Sequence, residues 1–222
     1  MSLIKYNNRS IKDLTTTPTA AGGGDTGALV HIKTLTASSS GTLSFVHGTD
    51  GVVLDSTYPI YKFEFINMHP ATDGAEFQVN FRDGGTAYDT VKTTTGFLAI
   101  HTESNSETGL NDRTASDQMA QNTGFVNLNL NLGNDNDQSL SGQLSLYNPS
   151  STVFIKHFMS TVQYSQNTDG SINYFCAGYG NTTTAIDGVQ FKMNSGNIDS
   201  GKIKLYGIKD SWWHYLQINL LQ

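Results

Sequence analysis

Cys176 is the single cysteine of the 222-residue chain, so no disulfide can close within it. A thiol set beside Tyr174 and Phe175 reads as a small buried hydrophobe. Charge is scarce as well: 14% of residues are Asp, Glu, Lys or Arg, against about 25% in ordinary globular domains. Gly, Ser, Thr and Asn fill the deficit, and their short hydroxyls and amides satisfy exposed backbone without the entropy cost of long side chains. The net charge of -6 and pI near 5.4 argue against a nucleic-acid partner, which needs a basic surface. No stretch approaches the ~20 consecutive apolar residues of a membrane-crossing helix. The opening MSLIKYNNRS lacks the apolar run of a secretory signal. The expectation is synthesis in a cytoplasm, folding there without disulfides, and no membrane partner.

Catalytic signatures are missing too. There is no phosphate-binding loop, no GxSxG elbow, no HExxH and no cysteine pair. His31, His47, His69, His101, His157 and His214 are scattered without metal-ligand spacing and are expected on strand faces and loops. The loop GNDNDQ (133–138) places Asp135 and Asp137 two apart but lacks the central glycine and distal glutamate of an EF-hand, so it reads as a turn rather than a calcium site. Glu64, Glu76, Glu103 and Glu107 are the acids from which a glycosidase-type pair would have to be drawn, and nothing in their spacing couples two of them. The chain reads as non-enzymatic, with no cofactor, no bound metal and no catalytic residue.

What is present is the grammar of β-strands. In 185–209, Val189, Phe191 and Met193 alternate with Gln190, Lys192 and Asn194, and Ile203 and Leu205 alternate with Lys202, Lys204 and Tyr206. This is the two-residue period of half-buried strands. The glycine- and Asx-rich stretch 195–201 between them suggests a β-hairpin with a long loop. The same alternation recurs at Val30 and Ile32, at Leu43 and Phe45, at Tyr61, Phe63 and Phe65, and at Phe77, Val79 and Phe81. Asp50-Gly51 predicts a short hairpin between 43–47 and 52–54. Phe97, Leu98 and Ile100 suggest a strand within the irregular stretch 93–121. Thr114-Ala115-Ser116-Asp117 resembles a capping box ahead of one short helix. The cleanest alternation lies in 124–133, where Val126, Leu128, Leu130 and Leu132 are interleaved with asparagines. Strands are also expected at 142–147, 153–163 and 172–177.

About ten strands at a spacing of ~8–12 residues point to an all-β chain, an antiparallel, jelly-roll-like β-sandwich with at most one short helix. Its core is expected to hold Phe63, Phe65, Phe77, Phe81, Leu128, Leu130, Phe191 and Leu205. Three segments are expected: an extended N-terminal arm (1–26), the sandwich domain (27–210) and an apolar C-terminal extension (211–222). The arm joins Leu3, Ile4 and Tyr6 to a flexible Gly22-Gly23-Gly24 joint. The extension, SWWHYLQINLLQ, concentrates Trp212, Trp213, Tyr215 and Leu216 into a short segment that would be an aggregation hazard if exposed. Leu3, Ile4 and Tyr6 at one end and these four residues at the other are therefore the expected partner-docking groups.

Residues 133–158 (GNDNDQSLSGQLSLYNPSSTVFIKHF) followed by 185–209 (AIDGVQFKMNSGNIDSGKIKLYGIK) resemble a family of small virion proteins of tailed bacteriophages, particularly marine and cyanobacterial ones. The opening MSLIKYNNRSI and residues 34–74 are similar to the same group, and the GNIDSG…LYGI element is the most specific part. The resemblance covers most of 1–210, and the chain departs from the family's pattern after Lys209. It implies a non-enzymatic β-sandwich located in the virion, a capsid decoration or tail-fibre component working through contacts with other virion proteins. Assembly as a homo-oligomer, a homotrimer, is expected. The competing expectation is a carbohydrate-binding module that recognises host-surface glycans through the faces of Tyr147, Tyr179 and Tyr206. A polysaccharide depolymerase is disfavoured by the absence of a β-helix repeat.

Overall fold

The computed structural model describes residues 28–113 and 118–210. Among these the chain forms twelve strands and no helix, arranged as two antiparallel sheets packed face to face. The larger sheet has eight strands. In spatial order they are β1 (Leu29–Ser40), β12 (Ile198–Ile208), β3 (Ile60–Pro70), β8 (Leu140–Tyr147), β9 (Lys156–Gln166), β10 (Gly170–Gly180), β5 (Lys92–Thr102) and β6 (Thr108–Asp112). The smaller sheet is β2 (Leu43–Val46), β11 (Gly188–Met193), β4 (Phe77–Arg82) and β7 (Val126–Asn127).

Period-two alternation dictates which side chains meet between the sheets. Phe191 of β11 contacts Phe45 and Phe77 of its own sheet and Phe63 and Phe65 of the opposite one, with centroid separations of 6.3, 5.6, 5.4 and 5.3 Å. Three of these ring pairs are edge-on and the Phe77 pair is stacked, the offset geometries that the ring quadrupole favours. Of the eight expected core residues, all but Leu130 are fully buried, and Leu130 packs partly exposed at the edge of the cluster.

The stretch 185–209 keeps its alternation but is not a hairpin. β11 lies in the small sheet and β12 in the large one, so the turn between them crosses from one layer to the other. Gly196 sits in that crossover at φ 68°, where a β-carbon would fall 2.3 Å from Thr72 Oγ1. Both strands bury the same residue types toward one core, so periodicity alone cannot distinguish a crossover from a hairpin.

The expected strand over 124–133 also changes form. Only Val126–Asn127 joins a ladder. Asn129, predicted to point outward, is buried. Its Oδ1 accepts from the Phe77 backbone N–H at 2.5 Å and its Nδ2 donates to the Ala75 carbonyl at 3.2 Å. The side-chain amide thus takes the place of one backbone rung, at the Phe77 N–H, between the Leu128 N–H to Phe77 carbonyl and Leu132 N–H to Ala75 carbonyl bonds that remain, and the Leu130 N–H donates to the Tyr164 hydroxyl. Asn131 then turns the chain at φ 50°.

The Asp50-Gly51 hairpin does not form either: β2 pairs with β11. Val52 and Leu54 are buried in a coil, with the Leu54 N–H donating to His47 Nδ1 at 3.1 Å. In β1 a bulge between His31 and Lys33 shifts the phase; Ile32 and Leu35 both pack against the core while partly exposed, and Ala37 is the strand's fully buried residue. The capping-box residues 114–117 lie outside the described residues, and Met119 and Ala120 beyond them are not helical.

Candidate functional site

β8, β9, β10 and β5 alternate without interruption, and β12 and β3 alternate outside their bulges at 198–202 and 65–68, so outward side chains of the six strands build one broad outer face. Its composition is split. On β12 and β3 it carries Lys202, Lys204, Lys62 and Glu64, the last two joined by a 3.0 Å ion pair. On β8, β9, β10 and β5 the outward residues are Ser, Gln, Thr, Asn, Ala, His, Tyr, Met and Phe, without a single Asp, Glu, Lys or Arg. Four large apolar groups lie exposed on or beside this half: Met159 at 57%, Phe97 at 43%, Phe175 at 37% and, on the edge strand β6, Leu110 at 72%. Phe97 and Phe175 are cross-strand partners that stack with ring centroids 4.7 Å apart.

A groove of about 400 Å³ opens at the end of this face where β5 begins and β10 finishes. Tyr147, His157, Met159, Ala177, Tyr179 and the threonines 93–95 line it. The His157 and Tyr179 rings meet edge-on at 6.3 Å, and the Tyr147 hydroxyl lies 3.9 Å from Met159 Sδ. Its lining is mostly apolar, with hydroxyls and one imidazole at the rim. Such a lining suits an apolar or neutral partner, because a charged one would lose hydration without compensation.

The inner side of the same strand ends is rigidified by two buried lysines. Lys92 and Lys156 both pair across Gly180 and follow the core phase of β5 and β9. Lys92 Nζ donates to Asn80 Oδ1 at 2.5 Å and to the Thr90 carbonyl. Burial pushes its amine down to about 8, against the pull of Asp83 and Asp89. Lys156 Nζ donates to the carbonyls of Phe154 at 2.7 Å and Thr182 at 3.4 Å, and burial lowers its pKa as well. Asn80 completes the network by donating to the Tyr88 and Thr123 carbonyls at 2.5 and 3.0 Å. Arg82 clamps Asp187 in a bidentate pair at 2.8 and 3.0 Å. These contacts tie the loops around residues 83–91, 149–155 and 181–187 together beneath the groove.

The structure brings Tyr147 and Tyr179 into one groove and puts Tyr206 on the same outer face, on β12 against His31. Sequence reasoning missed His157, Met159, Phe97 and Phe175. Their signal is visible in the sequence: each is an apolar or aromatic residue at the outward phase of a strand. The four glutamates stay apart in function. Glu64 pairs with Lys62, Glu76 accepts from Asn127 and Asn194, and Glu103 and Glu107 are exposed in the β5–β6 turn. Among the described residues no three His, Cys, Asp or Glu side chains group closely enough to hold a metal ion. The Asp135 backbone carbonyl lies 3.2 Å from His69 Nε2. Cys176 is buried, and desolvation pushes its thiol up to about 12. The docking candidates Leu3, Ile4, Tyr6, Trp212, Trp213, Tyr215 and Leu216 lie outside the described residues. Comparisons of the chain with models of protein families, with curated proteins and with solved structures found no match.

Proposed function

We propose that the protein is a non-enzymatic structural component of a tailed-bacteriophage virion, made in the host cytoplasm and assembled as a homotrimer. It decorates the capsid or forms part of a tail fibre through contacts with other virion proteins. The observation that carries this reading is the outer face of β8, β9, β10 and β5, which bears no charged side chain and exposes Met159, Phe97 and Phe175, bordered on the edge strand β6 by Leu110 and Asp112. Exposed apolar area of this kind, depleted of charge and rimmed by hydroxyls and amides, marks surfaces that meet other proteins. Leu3, Ile4 and Tyr6 of the arm and Trp212, Trp213, Tyr215 and Leu216 of the C-terminal extension supply matching apolar groups. Mass spectrometry of purified particles together with a particle map tests the reading. Stoichiometry matching the capsid subunits places the protein on the shell, and a handful of copies places it on the tail. Absence from the particle sinks the proposal.

A second reading, glycan recognition, is favoured by Tyr147 and Tyr179 lining one groove, with His157 between them and the Thr93 and Thr95 hydroxyls on the far side of Tyr179. Glycan-array binding that disappears in both Tyr147→Ala and Tyr179→Ala supports it. An array without signal removes it.

A further inference from the structure

We infer that the centre of the outer face holds a second binding site, a depression spanning β3, β8, β9 and β10 that takes a neutral oligosaccharide. The inference rests on the glycan reading above for its ligand class alone, and it assigns the sugar to a different place from the Tyr147–Tyr179 groove. The shape of the site starts from the bulge in β3. Phe65 pairs with Gly142 and Met68 with Leu140, so Ile66 and Asn67 together stand opposite Ser141. Asn67 takes φ 50° and its N–H donates to Ser141 Oγ at 3.0 Å, which fixes the bulge. Bulges of this kind bend a strand and re-aim its side chains. Beside it the outer face sinks into a depression of about 360 Å³, lined by Glu64, Gln143, Thr161, Gln163 and Asn173.

These side chains converge by register. Gln143 pairs with Glu64 and Thr161, and Gln163 with Asn173. Gln163 is held in place, its Nε2 donating to the Tyr164 carbonyl at 3.2 Å and to Ser171 Oγ at 3.3 Å. The side chains of Gln143, Thr161 and Asn173 form no hydrogen bond with any described residue. Asn173 Oδ1 is moreover shielded from solvent without a donor, an arrangement that folded proteins ordinarily avoid by supplying a partner. Asn173 as a whole is only part-buried, so rotation of its amide turns that oxygen into the depression.

The lining selects the ligand. Amides and hydroxyls offer donors and acceptors together, which suits a ligand whose own groups are hydroxyls. A charged ligand finds nothing to pair with, because Glu64 is already bound to Lys62 at 3.0 Å and no other charge lines the depression. An apolar ligand would strand the amides of Gln143 and Asn173. An extended peptide would need backbone partners, and β8, β9 and β10 are interior strands whose backbones pair with one another and with β3 and β5. Phe175 supplies the remaining element. It sits between Thr161 of β9 and Phe97 of β5. Phe97 covers one face of its ring at 4.7 Å, and the other face is turned toward Thr161. Gln143, Thr161 and Phe175 thus present an amide, a hydroxyl and a ring in one row across two strand intervals, roughly 10 Å. A sugar ring has a hydroxyl edge and an apolar C–H face, and a short oligosaccharide laid along this row meets both.

Binding of the full-length protein to an array of neutral oligosaccharides, with sialylated and sulfated members as charged controls, tests the site. The strongest neutral member is then titrated by calorimetry. Binding to neutral members is expected. Gln143→Ala, Asn173→Ala and Phe175→Ala should each weaken it by about tenfold, whereas Tyr147→Ala and Tyr179→Ala should leave it unchanged. Circular dichroism verifies that each variant is folded. Asn173→Ala carries a second readout: it removes an unmet acceptor, so the melting temperature should hold or rise while binding falls. A residue that only supports the fold would lower both. Binding that is lost with the two tyrosines and ignores Gln143, Asn173 and Phe175 overturns this site and leaves the groove reading standing. Binding confined to the charged members overturns this site. Binding that ignores all five substitutions, or an array without signal, overturns both.

Discussion

Lys92 Nζ, on the first residue of β5, donates to Asn80 Oδ1 on β4 at 2.5 Å, and both side chains are fully shielded from solvent. This contact joins the two sheets through polar groups at one end of a core that is otherwise aromatic and aliphatic. Burial makes the charged amine costly, and the carbonyl oxygens of Asn80 and Thr90 offset part of that cost.

A pH dependence follows from the depressed amine. In the folded protein Lys92 titrates near 8, and in the unfolded chain at its ordinary value of about 10.4. Below pH 8 both states hold the proton and the burial penalty is fully present. Between the two values only the unfolded chain still holds it, so raising the pH favours the folded state. Chemical denaturation across pH 7.5–10.5 should show wild type gaining stability relative to Lys92→Met. Tyr61, Tyr164 and Cys176, each pushed up to about 12 by burial, act in the opposite sense at high pH. They are common to both proteins and cancel in the difference. A flat difference would show that the amine is not desolvated.

Phe191 is the aromatic hub between the layers, touching Phe45, Phe63, Phe65 and Phe77. Phe191→Ala should cost about 3–5 kcal/mol, the transfer term plus a cavity that four rings cannot jointly refill. Urea titration reads this directly, and a loss below about 1 kcal/mol would mean that the site collapses.

The asparagine-interleaved segment offers a paired test. Leu128 is fully buried and Leu130 only partly, so Leu128→Ala should cost about 2–5 kcal/mol and Leu130→Ala distinctly less. Asn129→Ala leaves the Phe77 N–H buried without its acceptor, at about 1–3 kcal/mol, while the Ala75 carbonyl keeps the Leu132 N–H as a donor at 2.9 Å. If Asn129→Ala is neutral, the amide is not substituting for a ladder rung.

Gly196 tests the crossover. Its φ of 68° and the 2.3 Å approach of a notional β-carbon to Thr72 Oγ1 make Gly196→Ala destabilising by more than the ~1 kcal/mol of a favourable glycine replacement. Adding Thr72→Ala should restore part of the loss by removing the clash, while the backbone strain remains. Full rescue would assign the whole effect to the clash.

Strand identity and phase were legible in the amino-acid order wherever one face is buried and the other wet. Phe63, Phe65, Phe77, Val79, Phe81, Phe191, Ile203 and Leu205 all lie where alternation places them, because a one-residue slip would expose every one of them. The all-β class follows from the same pattern. Partnership did not follow from it. Whether β11 and β12 form a hairpin or cross between layers depends on which sheet has room beside β3 and β4, a non-local matter invisible to a two-residue period. Asn129 turned inward because its amide can complete a neighbour's backbone, which depends on a partner some fifty positions away at Phe77. The groove was half legible, through Tyr147 and Tyr179. Strand order brought His157 and Met159 beside them and left that half of the outer face without charge, and strand order is decided only when all the strands compete for neighbours in the folded chain.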